Sequence, residues 1–362
     1  MKILFIAPRF HTNQVHWMNS LIENRHHVEF HSQIKGKIEN YKNLTPKLFQ
    51  PCLFSESIMK VFGEGGVNRP RGFPNPFSYY KEMKKYNPEI VVVRDITRWF
   101  SFLGALIGRL MGKRIIIYSQ TYLHKHYSLL RITLIRIILL LFGAKWITPI
   151  KGDESKYKKH PKNLFYVPFT VKIKKKLQKK SRTDLNILTV GKFEDRKNHL
   201  MLLKVFKKLL EQDLSLKLTV IGEVTKEIHK KNFEICMNFI KKNNLENEVK
   251  TKVNIPHTRM QDYYQDHDLF VLPATAEPAS ISVLESVGLG TPSICSDTNG
   301  TKFYLLENNF GLTFKDNNED DLLDKIKLIL TNEKLKFFEE EIAVKNEAVL
   351  GKENFYKAFM AL

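Results

Sequence analysis

Apolar runs recur along this chain in the same order twice. Ile3, Leu4, Phe5, Ile6 and Ala7 form a short run without polar alternation. A polar loop follows over residues 8–14, then a stretch with Trp17, Leu21 and Ile22 near helical spacing, and a new run begins at 27–30. The order returns in the second half, with an apolar run at 185–190 and a polar loop at 191–198. Leu202, Phe206, Leu209 and Leu210 then line one helical face, and a strand pattern follows at 216–221. Strand, loop, helix and strand in this order predict parallel βαβ units, because a right-handed crossover helix must bury its apolar face on the sheet. Runs at 90–93 and 114–118, with a helix at 99–111 between them, extend the first set; runs at 269–272 and 293–295, with a helix at 281–288, extend the second. Such uninterrupted runs suit strands covered on both faces.

The pattern predicts an α/β protein of two doubly wound, Rossmann-like domains facing each other across a cleft. The first spans residues 1–175 and the second 183–345, with a lysine-rich stretch at 171–182 as the boundary. Residues 346–362 read as a C-terminal helix packing back toward the first domain. A length of 362 residues agrees with two domains. The 43% hydrophobic content supplies packed cores and excludes a disordered basic tail. Three distant cysteines form neither a disulfide framework nor a metal-ligand spacing, which points to a reducing compartment. The apolar N-terminus is too short for a signal peptide and reads as a strand.

Charge divides the chain unequally. Residues 1–182 hold 34 basic and 10 acidic residues (34 − 10 = +24), and the remainder holds 24 and 28 (24 − 28 = −4), which together make the net +20. Nucleic acid, an anionic membrane surface and plain solubility compete to explain the basic half. The segment 129–142 is strongly apolar yet carries Arg131 and Arg136. Its unbroken apolar run is far below the ~20 residues of a membrane span. It is either a buried crossover helix whose arginines snorkel or an amphipathic helix lying in the headgroup layer of an anionic membrane. No nucleic-acid-binding motif accompanies the charge, so nucleic acid is not expected as a partner.

Two segments carry candidate chemistry. The first, Gly191-Lys192-Phe193-Glu194-Asp195-Arg196-Lys197-Asn198, lies between a strand's carboxyl end and a helix start, where doubly wound sheets bind ligands. Lys192 on the loop and Lys197 near the helix N-terminus suit a diphosphate; alone, the segment could equally be a solvated charged turn. The second runs from Leu272 through Glu277-Pro278-Ala279-Ser280 to Glu285 and Gly290-Thr291-Pro292. Pro278 holds Glu277 out of helical geometry and suits a first helical position, so the Ala279 and Ser280 amides are expected to point into the cleft. Glu285 then falls about two turns into the helix, on the order of 10 Å from its start. Asp266-His267-Asp268 precedes a strand and reads as a turn rather than a metal-binding Asp-x-Asp.

The two segments together resemble the donor site of retaining glycosyltransferases of family 4, which have the GT-B fold. The likeness covers nearly the whole chain and is specific in the second half. It implies that Lys192 and Lys197 bind the donor diphosphate, Glu277 the transferred sugar and Glu285 the ribose hydroxyls, with Ala279 and Ser280 completing the donor site. It also implies a retaining transfer with no metal or other cofactor. Glu277, Lys197 and Lys192 are the candidate catalytic residues. Lys192 stands where the family has Arg, which loses the bidentate fork but keeps the charge. Pro278-Ala279-Ser280 replaces a Gly-Phe-Gly, His11-Thr12-Asn13-Gln14 replaces a glycine-rich first loop, and Gln120 replaces a histidine. Asn13, Gln14, Arg94, Asp95 and Gln120 are the candidate acceptor-side residues. The expected partners are a nucleotide-sugar donor, a glycan acceptor carried on a polyprenyl diphosphate and an anionic membrane surface. The resemblance therefore implies a hexosyltransferase of surface polysaccharide biosynthesis on the inner face of the cell membrane. A non-catalytic GT-B subunit that activates a partner enzyme is the alternative.

Overall fold

The computed structural model describes residues 1–10, 12–35, 41, 43–61, 72–157, 161–175 and 184–362. These divide into two compact units, Met1–Phe169 with Phe355–Leu362, and Thr170–Asn354. His11 and the lysine-rich residues 176–182 of the expected boundary lie outside the described residues.

In chain order the first unit contains β1 (Lys2–Ile6), α1 (Thr12–Glu23), β2 (His27–Ser32), β3 (Lys47–Leu48), α2 (Leu53–Val61), α3 (Pro76–Tyr86), β4 (Ile90–Arg94), α4 (Trp99–Leu110) and β5 (Arg114–Tyr118). It continues with β6 (Tyr122–His124), α5 (Leu129–Phe142), β7 (Lys145–Thr148), β8 (Ile150–Gly152) and β9 (Leu164–Tyr166). Seven strands form a parallel sheet in the order β3-β2-β1-β4-β5-β7-β9, and β6 pairs with β8. Ile3 to Ile6 and Val91 to Val93 are fully buried, as strands covered on both faces must be. Helix α1 begins at Thr12, inside the loop expected over 8–14. Helix α3 buries only Tyr79 and Met83, so the apolar pattern barely marks it. Its caps form it instead. The Asn75 side chain accepts from the amides of Phe77 and Ser78, Pro76 occupies the first turn, and left-handed Asn87 closes the end.

The second unit contains β10 (Leu185–Val190), α6 (His199–Leu210), β11 (Leu216–Gly222), α7 (Glu227–Lys242), β12 (Val249–Val253), α8 (Met260–Asp266), β13 (Leu269–Leu272) and α9 (Ile281–Gly288). It ends with β14 (Ser293–Ser296), α10 (Lys302–Leu306), β15 (Gly311–Phe314), α11 (Glu319–Leu330) and α12 (Asn332–Leu350). Its six-stranded parallel sheet runs β12-β11-β10-β13-β14-β15. Gly222, at the end of β11, lies against the Phe193 ring, where a Cβ would come within 2.2 Å of Cε2. Only glycine lets the loop after β10 close onto that strand.

The C-terminal residues are not one helix. The chain breaks at Gly351, and α13 (Lys352–Met360) carries its final residues into the first unit. There Phe355 stacks on Trp17 with ring centroids 5.2 Å apart and planes 11° from parallel. Trp17 also packs edge-on against Tyr118 and donates its indole N–H to the Pro168 carbonyl at 2.9 Å.

Helix α5 spans the residues expected of it, but it is not a buried crossover helix. Only Leu139 and Phe142 are buried, whereas Leu130, Leu134, Ile137 and Leu141, at helical spacing along one face, are 52–72% exposed. On α4, Trp99, Phe102, Leu106 and Leu110 form a second exposed stripe, and Phe102 meets Phe142 edge-to-face at 5.3 Å. Neither helix contains an acidic residue. Among the described residues no helix is long and apolar enough to cross a membrane.

Candidate functional site

In the second sheet the chain moves outward from β10 to β12 and returns on the other side of β10 at β13. At such a reversal the loops leaving the two neighbouring strands diverge and open a crevice at their carboxyl ends. The two candidate segments are those loops, 191–198 after β10 and 273–280 after β13. The Thr275 amide donates to the Arg196 carbonyl at 2.8 Å and ties them together.

Glu277 is the centre of this arrangement. Its buried carboxylate accepts hydrogen bonds from both the Arg196 guanidinium and the Lys197 ammonium. The two cations come from a single 3-10 turn, Asp195–Lys197, which left-handed Asn198 ends. Asn tolerates that conformation, and it redirects the chain into α6. Gly191 makes room for the Lys197 stem, since a Cβ there would lie 3.2 Å from Cδ. Burial holds the Lys197 ammonium below its ordinary range, while Glu277 opposes the shift. On the other loop, Ala276 sits in the left-handed region at φ 44°, which costs an alanine about 1–2 kcal/mol. The Thr298 hydroxyl accepts its amide at 2.9 Å, and the Gly300 amide donates to the Glu277 carbonyl at the same distance. The Glu277 backbone is therefore clamped from β14's side.

Lys192 does not join Lys197. It pairs with Glu223 at 3.2 Å, and the Thr225 hydroxyl donates to the same carboxylate at 2.7 Å. His199, fully buried at the start of α6, donates its Nε2–H to the Gly191 carbonyl, and burial pushes its pKa down to about 4. A neutral imidazole thus supports the loop from beneath.

Helix α9 starts at Ile281, with extended Ser280 as its cap. Pro278 is outside the helix, because the chain must still turn after Glu277. The open amides at the helix start therefore centre on Ser280 to Val283 rather than on Ala279 and Ser280. Glu285 stands about one turn in, roughly 6 Å along the axis from Ile281 rather than 10 Å. It is buried, with His257 Nε2 2.6 Å from one oxygen and the Tyr264 hydroxyl donating to the other at 3.3 Å. Burial and the neighbouring Glu285 raise Tyr264 well above the usual phenol range, so it acts as a donor.

The structure thus brings Lys197 and Glu277 into direct contact and holds Lys192, Glu285, Ala279 and Ser280 on neighbouring segments of the same unit. Arg196, Glu223, His257 and Tyr264 join them without having been singled out in the sequence. Arg196 was legible only as a third cation in the first segment, and His257 and Tyr264 carried no signal at all.

The acceptor-side candidates belong to the first unit. Gln14 is fully buried on α1, and neither end of its amide has a hydrogen-bond partner among the described residues. The side chain of Asn13 lies outside the described residues. Arg94 is buried above the Tyr118 ring, 5.3 Å from its centroid, and forms a local ion pair with Asp95 at 3.6 Å. Gln120 hydrogen bonds to the Tyr118 hydroxyl. Asp268 accepts the Asn186 amide at 2.7 Å, which makes Asp266-His267-Asp268 the turn that joins α8 to β13.

Comparison with known proteins bears on the fold and the family. Residues 171–342 match the family model described as glycosyl transferases group 1. This part of the chain is similar to the group 1 glycosyltransferases. The chain is 23% identical over 295 residues to Protein CapJ from Staphylococcus aureus, covering 78% of this chain and 70% of that one. A glycosyltransferase from Rickettsia africae ESF-5 superposes with a TM-score of 0.72 at 14% identity, over 99% of this chain and 97% of that one. Anabaena Alr3699/HepE in complex with UDP-glucose gives 0.72 at 12% identity over 100% of both chains. The fold is therefore GT-B, with two Rossmann-like domains.

Proposed function

We propose that this glycosyltransferase is a retaining enzyme of the family 4 type. It would move a hexose-type sugar from a nucleotide-sugar donor to a glycan acceptor carried on a lipid diphosphate, in surface polysaccharide biosynthesis. The observation that carries the reading is the cluster of Arg196, Lys197 and Glu277 at the reversal point of the second sheet. An ammonium has three N–H donors and a guanidinium five. One bond each to Glu277 leaves both cations able to hold phosphate oxygens. As the glycosidic C–O bond stretches, its electron pair passes to the diphosphate, and Lys192, Arg196, Lys197 and the amides at the start of α9 stabilise the growing charge. These cations supply the counter-charge without a metal. Glu277 would position a sugar hydroxyl, and Glu285, held by His257 and Tyr264, would take the ribose. Attack by the acceptor hydroxyl on the face the diphosphate leaves, with its proton passing to the departing phosphate oxygen, gives retention without an enzymatic nucleophile.

HepE is solved with UDP-glucose, which makes that the first donor to try. Radiolabel from UDP-glucose should pass to a membrane-extracted acceptor with chelator present, and should fail in Glu277→Ala and in Lys197→Ala. Transfer that persists in both variants would overturn the assignment of the donor site. The basic, apolar exterior of α4 and α5 supports a position on the inner face of an anionic membrane.

A further inference from the structure

A cavity of about 900 Å³ opens in the first unit, and none of its lining residues is among the candidates above. Lys125, His126, Arg136, Lys156 and Lys162 line it together with two tyrosines. It lies where the parallel strands β6 and β8 end, since Lys125 to Tyr127 follow one and Ser155 to Tyr157 the other. Two hydrogen bonds shape this rim. His124 Nδ1 meets the Tyr157 carbonyl at 3.0 Å, and the Tyr127 hydroxyl donates to the Tyr122 carbonyl.

Four permanent cations and a histidine thus face one space, and none of the described lining residues is acidic. The adjacent Asp153 is engaged in its own turn, accepting from the Ser155 hydroxyl at 2.6 Å and the Lys156 amide at 3.1 Å. Lys125 and Arg131 share the Tyr127 ring, at 5.0 and 5.8 Å from its centroid. Burial and that arginine hold the Lys125 ammonium below its ordinary range. Like charges crowded at a strand terminus are relieved by a compact polyanion. Ile132 and Arg136 of one wall come from α5, whose outer face carries the exposed Leu130, Leu134, Ile137 and Leu141.

We propose that this cavity binds the phosphate groups of an anionic lipid, whose hydrocarbon chain lies along the exposed apolar faces of α5 and α4. A lipid is favoured over a soluble phosphate because the basic cavity and the apolar stripe share one helix. The inference rests on the membrane-surface reading above and adds the site on the protein that recognises the headgroup.

Flotation with vesicles tests it. Phosphatidylcholine vesicles carrying a polyprenyl diphosphate are compared with vesicles brought to the same surface charge by oleate, whose carboxylate carries no phosphate. The protein should bind the diphosphate vesicles at least roughly tenfold more tightly, given about 1 kcal/mol for each basic group engaged. Lys125→Gln, Arg136→Gln and Lys162→Gln combined should abolish that preference with the melting temperature unchanged. Removing three charges from the second unit, with Lys250→Gln, Lys334→Gln and Lys336→Gln, should preserve it. Inorganic pyrophosphate at matched concentration should not release the protein, and release would assign the cavity to a free phosphate instead. Equal affinity for both vesicles, or a preference that survives the first triple substitution, overturns the proposal but leaves membrane binding standing. Failure to float with either vesicle overturns both readings.

Discussion

Replacing Glu277 by Gln removes the carboxylate shared by Arg196 and Lys197 while keeping its shape. At about 3 Å and an effective dielectric of about 20, one such pair is worth about 5 kcal/mol of Coulomb energy before desolvation. Glu277 and Lys197 are only 8% and 13% exposed, so water screens that pair little; Arg196, at 39%, contributes much less. Lys197 can limit the loss by giving up its proton, which its burial already favours. A net destabilisation of about 3 kcal/mol follows, in the range for breaking a buried pair. For a unit of this size that lowers the calorimetric melting temperature by about 6–12 °C. The same substitution releases two cations from their internal partner. UDP should therefore stabilise Glu277→Gln by more than it stabilises the native chain, even as sugar transfer is lost. A melting temperature within about 2 °C of the native value would refute the pairing argument. Equal UDP-induced shifts would refute the competition between Glu277 and the diphosphate.

Two further outcomes follow from the packing. His199 binds a proton near its ordinary pKa of 6.5 when unfolded but only near 4 when folded, so protons favour the unfolded state. Its contribution to stability, about 3 kcal/mol, should be present above pH 6.5 and lost as pH falls toward 4. Urea midpoints across that range should show the slope, and His199→Asn should flatten it; an unchanged slope would sink the assignment. Phe355→Ala empties the space between Trp17 and Phe359 and should cost about 3–5 kcal/mol in denaturant unfolding. A loss under about 1 kcal/mol would show that α13 is not part of the first unit's core.

Much of the fold was legible because parallel strands buried on both faces must be continuously apolar. Residues 114–118, 185–190 and 269–272 have the bounds that the pattern predicts, since nothing but backbone pairing and burial decides them. Elements that rest on other forces were not legible. Helix α3 forms through Asn75, Pro76 and Asn87, with too few inward side chains to show a period. Helix α9 begins three residues after Pro278 because the loop's left-handed Ala276 and the Gly300 contact set where the chain can turn. The apolar character of α5 was plain in the sequence. Its exposure was not, because hydrophobicity records which residues prefer burial and not whether a neighbour covers them.

The sequence by itself determined the βαβ order, the concentration of positive charge in residues 1–182 and the two loops that carry lysines and glutamates. All of these depend on local composition and on the periodicity of single elements. Only the tertiary structure decided the partners. Arg196 and Lys197 lie 81 and 80 positions before Glu277 and meet it because β10 and β13 are neighbours at the point where the sheet reverses. His257 reaches Glu285 across 28 positions, and Phe355 reaches Trp17 from the far end of the chain. Ion pairs and stacked rings act over a few ångströms, and sequence spacing does not encode a separation that strand order alone brings about.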